Sequence, residues 1–178
     1  MIALQRKSTM SLDKKITVFA IVLALGALSA GIYAGWNRPV ATPEVNFIGV
    51  RGDQFAMSSL KGRVVLVNFW ATSCTACMSE MPKMVQTYEK YRERGLETVA
   101  VAMPYDPPDR VFAYAQQSKL PFRVALDIFG KAVSAFGGVR GTPTTFLVDR
   151  RGNIVRRIEG EPDFGQLGEL IERELAKG

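Results

Sequence analysis

The chain has no histidine and only two cysteines in 178 residues. A zinc site built on two cysteines needs further cysteine, histidine or carboxylate ligands, and there is no third cysteine and no imidazole to supply them. A copper site that relies on a histidine ligand is excluded on the same ground. No stretch is biased enough in composition to read as a repeat or a disordered tract. Excess charge of one sign is also missing. The net charge is +6, and Arg6, Lys7, Lys14 and Lys15, set against Asp13, carry half of it before residue 16. The remainder is too small to argue for nucleic acid as a partner.

What is present is one ordinary domain's worth of core, at 47% hydrophobic residues, and a single chemical motif. Cys74 and Cys77 stand in W-A-T-S-C-T-A-C, directly after the apolar run 64–69 and before a helix-like stretch. Two cysteines at this spacing can close a small disulfide ring. A helix beginning near Cys74 would point its free N–H groups and positive dipole end at the first sulfur, favouring the thiolate. Cys74 is therefore the candidate nucleophile and Cys77 the resolving thiol. A merely structural disulfide is the weaker reading, because so short a loop constrains the unfolded chain little.

Residues 16–36 carry no charge and follow the four basic residues. At about 1.5 Å per residue they can cross a hydrocarbon core of roughly 30 Å. Tyr33 and Trp36 stand where interfacial aromatics belong, and the basic bias places residues 1–15 in the cytoplasm and the rest outside it. A cleaved signal peptide ending at Ala27-Leu28-Ser29 is the competing expectation, and it exports the domain equally. No cysteine lies near that position to be acylated. Residues 37–46, with two prolines, read as an extended linker, and the domain proper is expected over 47–178.

Within that domain the pattern predicts a hairpin over 47–56 turning at Gly52, a doubly covered strand over 64–69, and a helix from Cys74 to Arg94 stopped by Gly95. A strand over 96–103, a helix opened by Pro107 and Pro108, a strand over 122–126 and a short helix over 131–136 follow. A hairpin of 144–148 with 154–158 and an amphipathic helix over 163–176 close the chain. Strands alternating with helices and ending in a hairpin give an α/β fold, a mixed sheet covered on both faces. Its carboxyl edge is where such sheets carry their sites, and the C-x-x-C falls there.

The runs L-K-G-R-V-V-L-V-N-F-W-A-T-S-C-T-A-C-M-S-E-M-P (60–82) and G-V-R-G-T-P-T-T-F-L-V-D-R-R-G (138–152) resemble the thioredoxin superfamily. More narrowly they resemble its membrane-anchored, extracytoplasmic TlpA/ResA-like thiol-disulfide oxidoreductases. The resemblance implies a thioredoxin-like sheet with an N-terminal hairpin extension, no cofactor beyond the Cys74–Cys77 pair, and a cis peptide at Thr142-Pro143 offering backbone groups to a substrate chain. Trp70 is carried over as a third substrate-binding position, against the plainer reading of a core aromatic. Glu80 shares the helix face of Cys77, where a carboxylate can take the resolving thiol's proton. The alternative is an ordinary solvated glutamate. Asn68 stands where thioredoxin has a buried carboxylate, which makes Glu80 the natural substitute.

Ser73 and Ala76 depart from the tryptophan and proline common at these places in the family. With neutral Thr75 and Ala76 between the cysteines, the expected couple is reducing, nearer about −270 than about −120 mV. The resemblance then implies a reductase of partner-protein disulfides, with apocytochrome c as the suggested substrate class and a membrane thiol carrier as electron donor. A disulfide oxidase or isomerase, and a tethered module that binds without catalysis, are the alternatives. A peroxidase is disfavoured, since Ala71 stands where T-x-x-C needs threonine. Arg150, Arg151, Arg156 and Arg157 read as a solvated hairpin surface.

Overall fold

The computed structural model describes residues 17, 19, 21–29 and 39–177. The chain divides into two units, 1–38 and 39–178. The first is described only at residues 17, 19 and 21–29, all helical. Residues 16, 18, 20 and 30–36 of the expected 16–36 anchor lie outside the described residues, and among the described residues no helix is long and apolar enough to cross a membrane.

The second unit is an eight-stranded mixed sheet with helices on its faces. Its strands are β1 (Val40–Ala41), β2 (Asn46–Gly49), β3 (Gln54–Ala56), β4 (Val64–Trp70), β5 (Leu96–Ala102), β6 (Arg123–Leu126), β7 (Thr144–Val148) and β8 (Asn153–Glu159). The helices are α1 (Thr75–Tyr91), α2 (Pro108–Gln117), α3 (Lys131–Ala135) and α4 (Phe164–Ala176). The strand order is β1-β8-β7-β4-β5-β6-β2-β3. β4 runs parallel to β5, and β5 to β6, through helical crossovers, while β7 pairs antiparallel with β4.

All seven residues of β4 are buried, as expected of a strand covered on both sides. Its alternation divides the core. Val65, Val67 and Phe69 meet Val45, Phe47, Phe136 and Phe146 on one face; Val64, Leu66 and Trp70 meet Met81, Met84, Leu167 and Ile171 on the other. Asn68 has the parity of the second set, so its amide is carried into the α1 side of the core.

Two expectations need correction. Residues 37–46 are not a free linker from end to end. Val40 and Ala41 pair with Ile154 and Asn153 of β8, Thr42 Oγ1 donates to the Gly152 carbonyl at 2.9 Å, and Val45 is buried. The physical reason is that β8 would otherwise be the sheet's edge, and its unmet backbone groups recruit the passing chain as β1. Arg150 is likewise not a solvated surface residue. Its guanidinium donates to the carbonyls of Gly62 at 2.9 Å and of Arg94 and Leu175 at 3.4 Å.

Candidate active site

β4 delivers the chain to the carboxyl edge of the sheet, where residues 71–74 turn into α1. Cys74 is the N-cap, with extended backbone, and its Sγ accepts a hydrogen bond from the Cys77 amide at 3.1 Å. That contact aims a free helix N–H at the first sulfur, the arrangement that lowers a thiol pKa. The two cysteines form a disulfide with Cα atoms 5.2 Å apart. Cys74 is half-buried and Cys77 fully buried, while Ser73, Thr75 and Ala76 are exposed. The first sulfur is thus the more accessible of the two and the second is covered. The first turn of α1 holds no acidic residue.

The turn before Cys74 is held by a group that the sequence did not single out. Asp106, buried at the end of β5, accepts from the Thr72 amide at 2.6 Å and from Thr72 Oγ1 at 2.5 Å. The Met103 amide also donates to the Trp70 carbonyl at 2.9 Å. The cysteine loop is thereby fastened to the β5 exit rather than left to solvent.

Glu80 is fully buried, contrary to the solvated alternative. Its Oε1 accepts from Asn68 Nδ2 at 2.9 Å, and the same amide nitrogen donates to Thr145 Oγ1 at 3.0 Å. Burial pushes the carboxyl up from 4.5 to about 7. The Asn68 hydrogen bond works against that rise, as does Lys83, while Glu161 adds to it. A carboxyl so placed changes protonation near neutral pH, the range in which a proton acceptor is most effective. The one polar residue in the run 64–70 was the available signal for this contact; Thr145 gave none.

Thr142-Pro143 is a cis peptide. The register that pairs Phe69 with Thr144 places it at the same carboxyl edge from which the Cys74 loop departs. Pro143 is buried and Thr142 half-buried. Trp70 does not face a substrate. It is fully buried in the core, its ring 5.4 Å from that of Tyr114, because its strand parity turns it inward beneath α1. Among the described residues no cluster of three histidine, cysteine or carboxylate side chains could hold a metal ion.

A C-x-x-C disulfide capping the helix that follows the central strand of such a sheet defines a thiol-disulfide oxidoreductase of thioredoxin-like fold, acting on protein thiols and disulfides. The comparisons agree: the Redoxin family model matches residues 39–171. The chain belongs to the redoxin family, in its TlpA/ResA-like branch. It is 32% identical over 164 residues to the thiol-disulfide oxidoreductase ResA of Bacillus thuringiensis subsp. konkukian, covering 88% of this chain and 93% of that one. The ResA of Bacillus anthracis is 33% identical over 173 residues, covering 91% of this chain and 98% of its own. Among solved structures, a thiol:disulfide interchange protein of the thioredoxin family from Chlorobium tepidum superposes with a TM-score of 0.71 at 31% identity, covering 78% of this chain and 97% of that one.

Proposed function

We propose that this oxidoreductase is a reductase of partner-protein disulfides, held outside the cytoplasm by residues 16–36 and supplied with electrons by a membrane thiol carrier. Apocytochrome c, with its haem-binding cysteines, is the proposed substrate class. The observation that carries the reducing direction is the neutral link between the two sulfurs: Thr75 and Ala76, the residues between the cysteines at the start of α1, carry no charge. Strong oxidants need a heavily stabilised reduced form, and no cationic side chain stands between these cysteines to provide it. The anchor is supported by the charge-free run and by the exposed apolar side chains of Phe19, Ile21, Val22, Leu23, Leu25 and Leu28, a surface suited to lipid.

In the proposed reaction the Cys74 thiolate attacks a partner disulfide, forming a mixed disulfide and releasing one partner thiolate. Cys77 then gives its proton to Glu80 and attacks Cys74 Sγ, releasing the second partner thiolate. Two electrons pass from the protein dithiol to the partner, and Cys74–Cys77 closes. Glu80 returns its proton when the membrane carrier reduces the pair again.

Equilibrating the full chain in micelles with thiol buffers of graded potential, and trapping free thiols, tests the direction. A midpoint below about −220 mV supports the reductase, and one near about −120 mV makes the protein an oxidant instead. A Cys77→Ala chain is expected to trap a mixed disulfide with an oxidised C-x-x-C-H peptide. Trapping of other peptides but not this one removes apocytochrome c as the substrate class. Protease added outside intact spheroplasts should remove the domain; protection would place it inside.

A further inference from the structure

The rim around Cys74 has no aromatic side chain in its own loop: Ser73, Thr75 and Ala76 are small, and Trp70 is buried. An aromatic surface reaches the same rim from the β5 exit. Tyr105 is 62% exposed. Its hydroxyl lies 3.5 Å from Thr142 Oγ1, beside the cis peptide. Its chain neighbour Asp106 holds both the amide and the hydroxyl of Thr72, two residues before Cys74, and the Asp106 amide in turn donates to the Met103 carbonyl at 3.0 Å. Tyr105 is thus tied on one side to the cysteine loop and on the other to the Thr142-Pro143 segment. An exposed ring held by its own backbone and by its tip has little rotamer freedom left to lose when something stacks on it.

We infer that Tyr105 is a specificity-determining residue, whose ring receives an aromatic or large apolar side chain flanking the reactive cysteine of the partner. The inference rests on the reading that reduced Cys74 attacks partner disulfides. Tyrosine suits the task because it offers a broad apolar face with its polar end anchored. Phe129 provides the contrast. It is 75% exposed on the loop after β6, with Lys131 Nζ 5.9 Å from its ring centre, and it carries no corresponding tie to Thr72 or Thr142.

The test uses the reduced full chain and three disulfides: a cyclic C-x-x-C peptide with phenylalanine beside its first cysteine, the same peptide with alanine there, and glutathione disulfide. In each exchange two electrons leave the Cys74/Cys77 dithiol, the protein disulfide closes, and the probe sulfurs take up two protons. Tyr105→Ala is expected to lower the second-order rate constant for the phenylalanine peptide about tenfold, the scale of one lost aromatic contact with its buried area. The alanine peptide, glutathione disulfide and the midpoint potential should not change. Tyr105→Phe, which keeps the ring and loses its tie to Thr142, should keep part of the preference for the phenylalanine peptide, and Phe129→Ala should leave all three rates alone. Equal losses on every disulfide, no loss on any, or the same pattern from Phe129→Ala would overturn the inference while leaving the oxidoreductase intact. A wild-type chain inert toward all three would remove the underlying reading as well.

Discussion

Asn68 reaches from β4 to α1 and donates its amide to Glu80 Oε1 at 2.9 Å, with both side chains fully buried. A strand residue thus holds the carboxyl that sits one helical turn beyond the resolving cysteine. The pair joins the scaffold to the chemistry, and most of what can be tested about the site follows from it.

Stability should fall with rising pH through this carboxyl. Its pKa is about 7 in the folded protein against an ordinary 4.5, so between those values the folded state binds the proton more tightly than the unfolded chain does. The contribution is fully present below about pH 4.5, declines as pH rises, and is gone above about pH 7, a span of at most about 3 kcal/mol. Urea unfolding of the oxidised wild type and of Glu80→Gln across this range checks it. The difference between the two curves should slope; parallel curves would mean that Glu80 does not titrate there.

Removing the carboxylate should slow resolution rather than first attack. Glu80→Gln is expected to reduce release of the second partner thiolate by about 10²-fold, the lower end of general acid-base effects, with mixed-disulfide formation at Cys74 little altered. Rapid quenching in acid followed by mass analysis separates the two steps. Equal slowing of both would indicate damage to the helix start instead.

Asn68→Ala should move the pH dependence upward. The hydrogen bond from Asn68 favours the charged carboxyl, so its loss raises the pKa further and shifts the acid limb of the resolution rate, where Glu80 must lose its proton to act as acceptor, to higher pH. The change also strands Glu80 Oε1 and Thr145 Oγ1, at a cost of about 1–3 kcal/mol. A destabilised variant with an unmoved pH profile would show that Asn68 only packs.

The Asp106 clamp should be a stability determinant of the cysteine loop. Asp106→Ala leaves the part-buried Thr72 amide without its acceptor and is expected to cost about 1–3 kcal/mol in urea unfolding. Thr72→Val, which loses only the hydroxyl bond, should cost less. Equal cost for the two would place the energy in the side-chain contact alone.

Regular elements were legible in the sequence because their periods are strong. The apolar run at β4, the Pro107-Pro108 start of α2 and the apolar spacing of α4 each carry a single local meaning, and the structure follows them to within a residue or two. The C-x-x-C pair was legible too, and it stands as a disulfide at the start of α1. What was hidden depends on long-range pairing. Nothing near Val40 announces that an edge strand 113 residues later in the chain, at Asn153, will take up its neighbour Ala41 at a separation of 112. Glu80 falls on the face of Cys77 by its spacing, but a solvated glutamate stays open as the alternative until α1 is laid on the sheet and that face meets Asn68. Arg150 looked like one of a run of surface arginines, yet its guanidinium reaches carbonyls at the ends of three elements.

That arginine has a further meaning for how the molecule can change. Gly62, Arg94 and Leu175 bring the entries of β4 and β5 and the end of α4 to one point, and Arg150 donates to a carbonyl of each. The thiol chemistry stands at the opposite rim. Substitutions around Ser73, Tyr105 or Thr142 therefore act on segments that this latch does not hold, and the recognition surface can be re-tailored for a new client while the frame beneath stays shut.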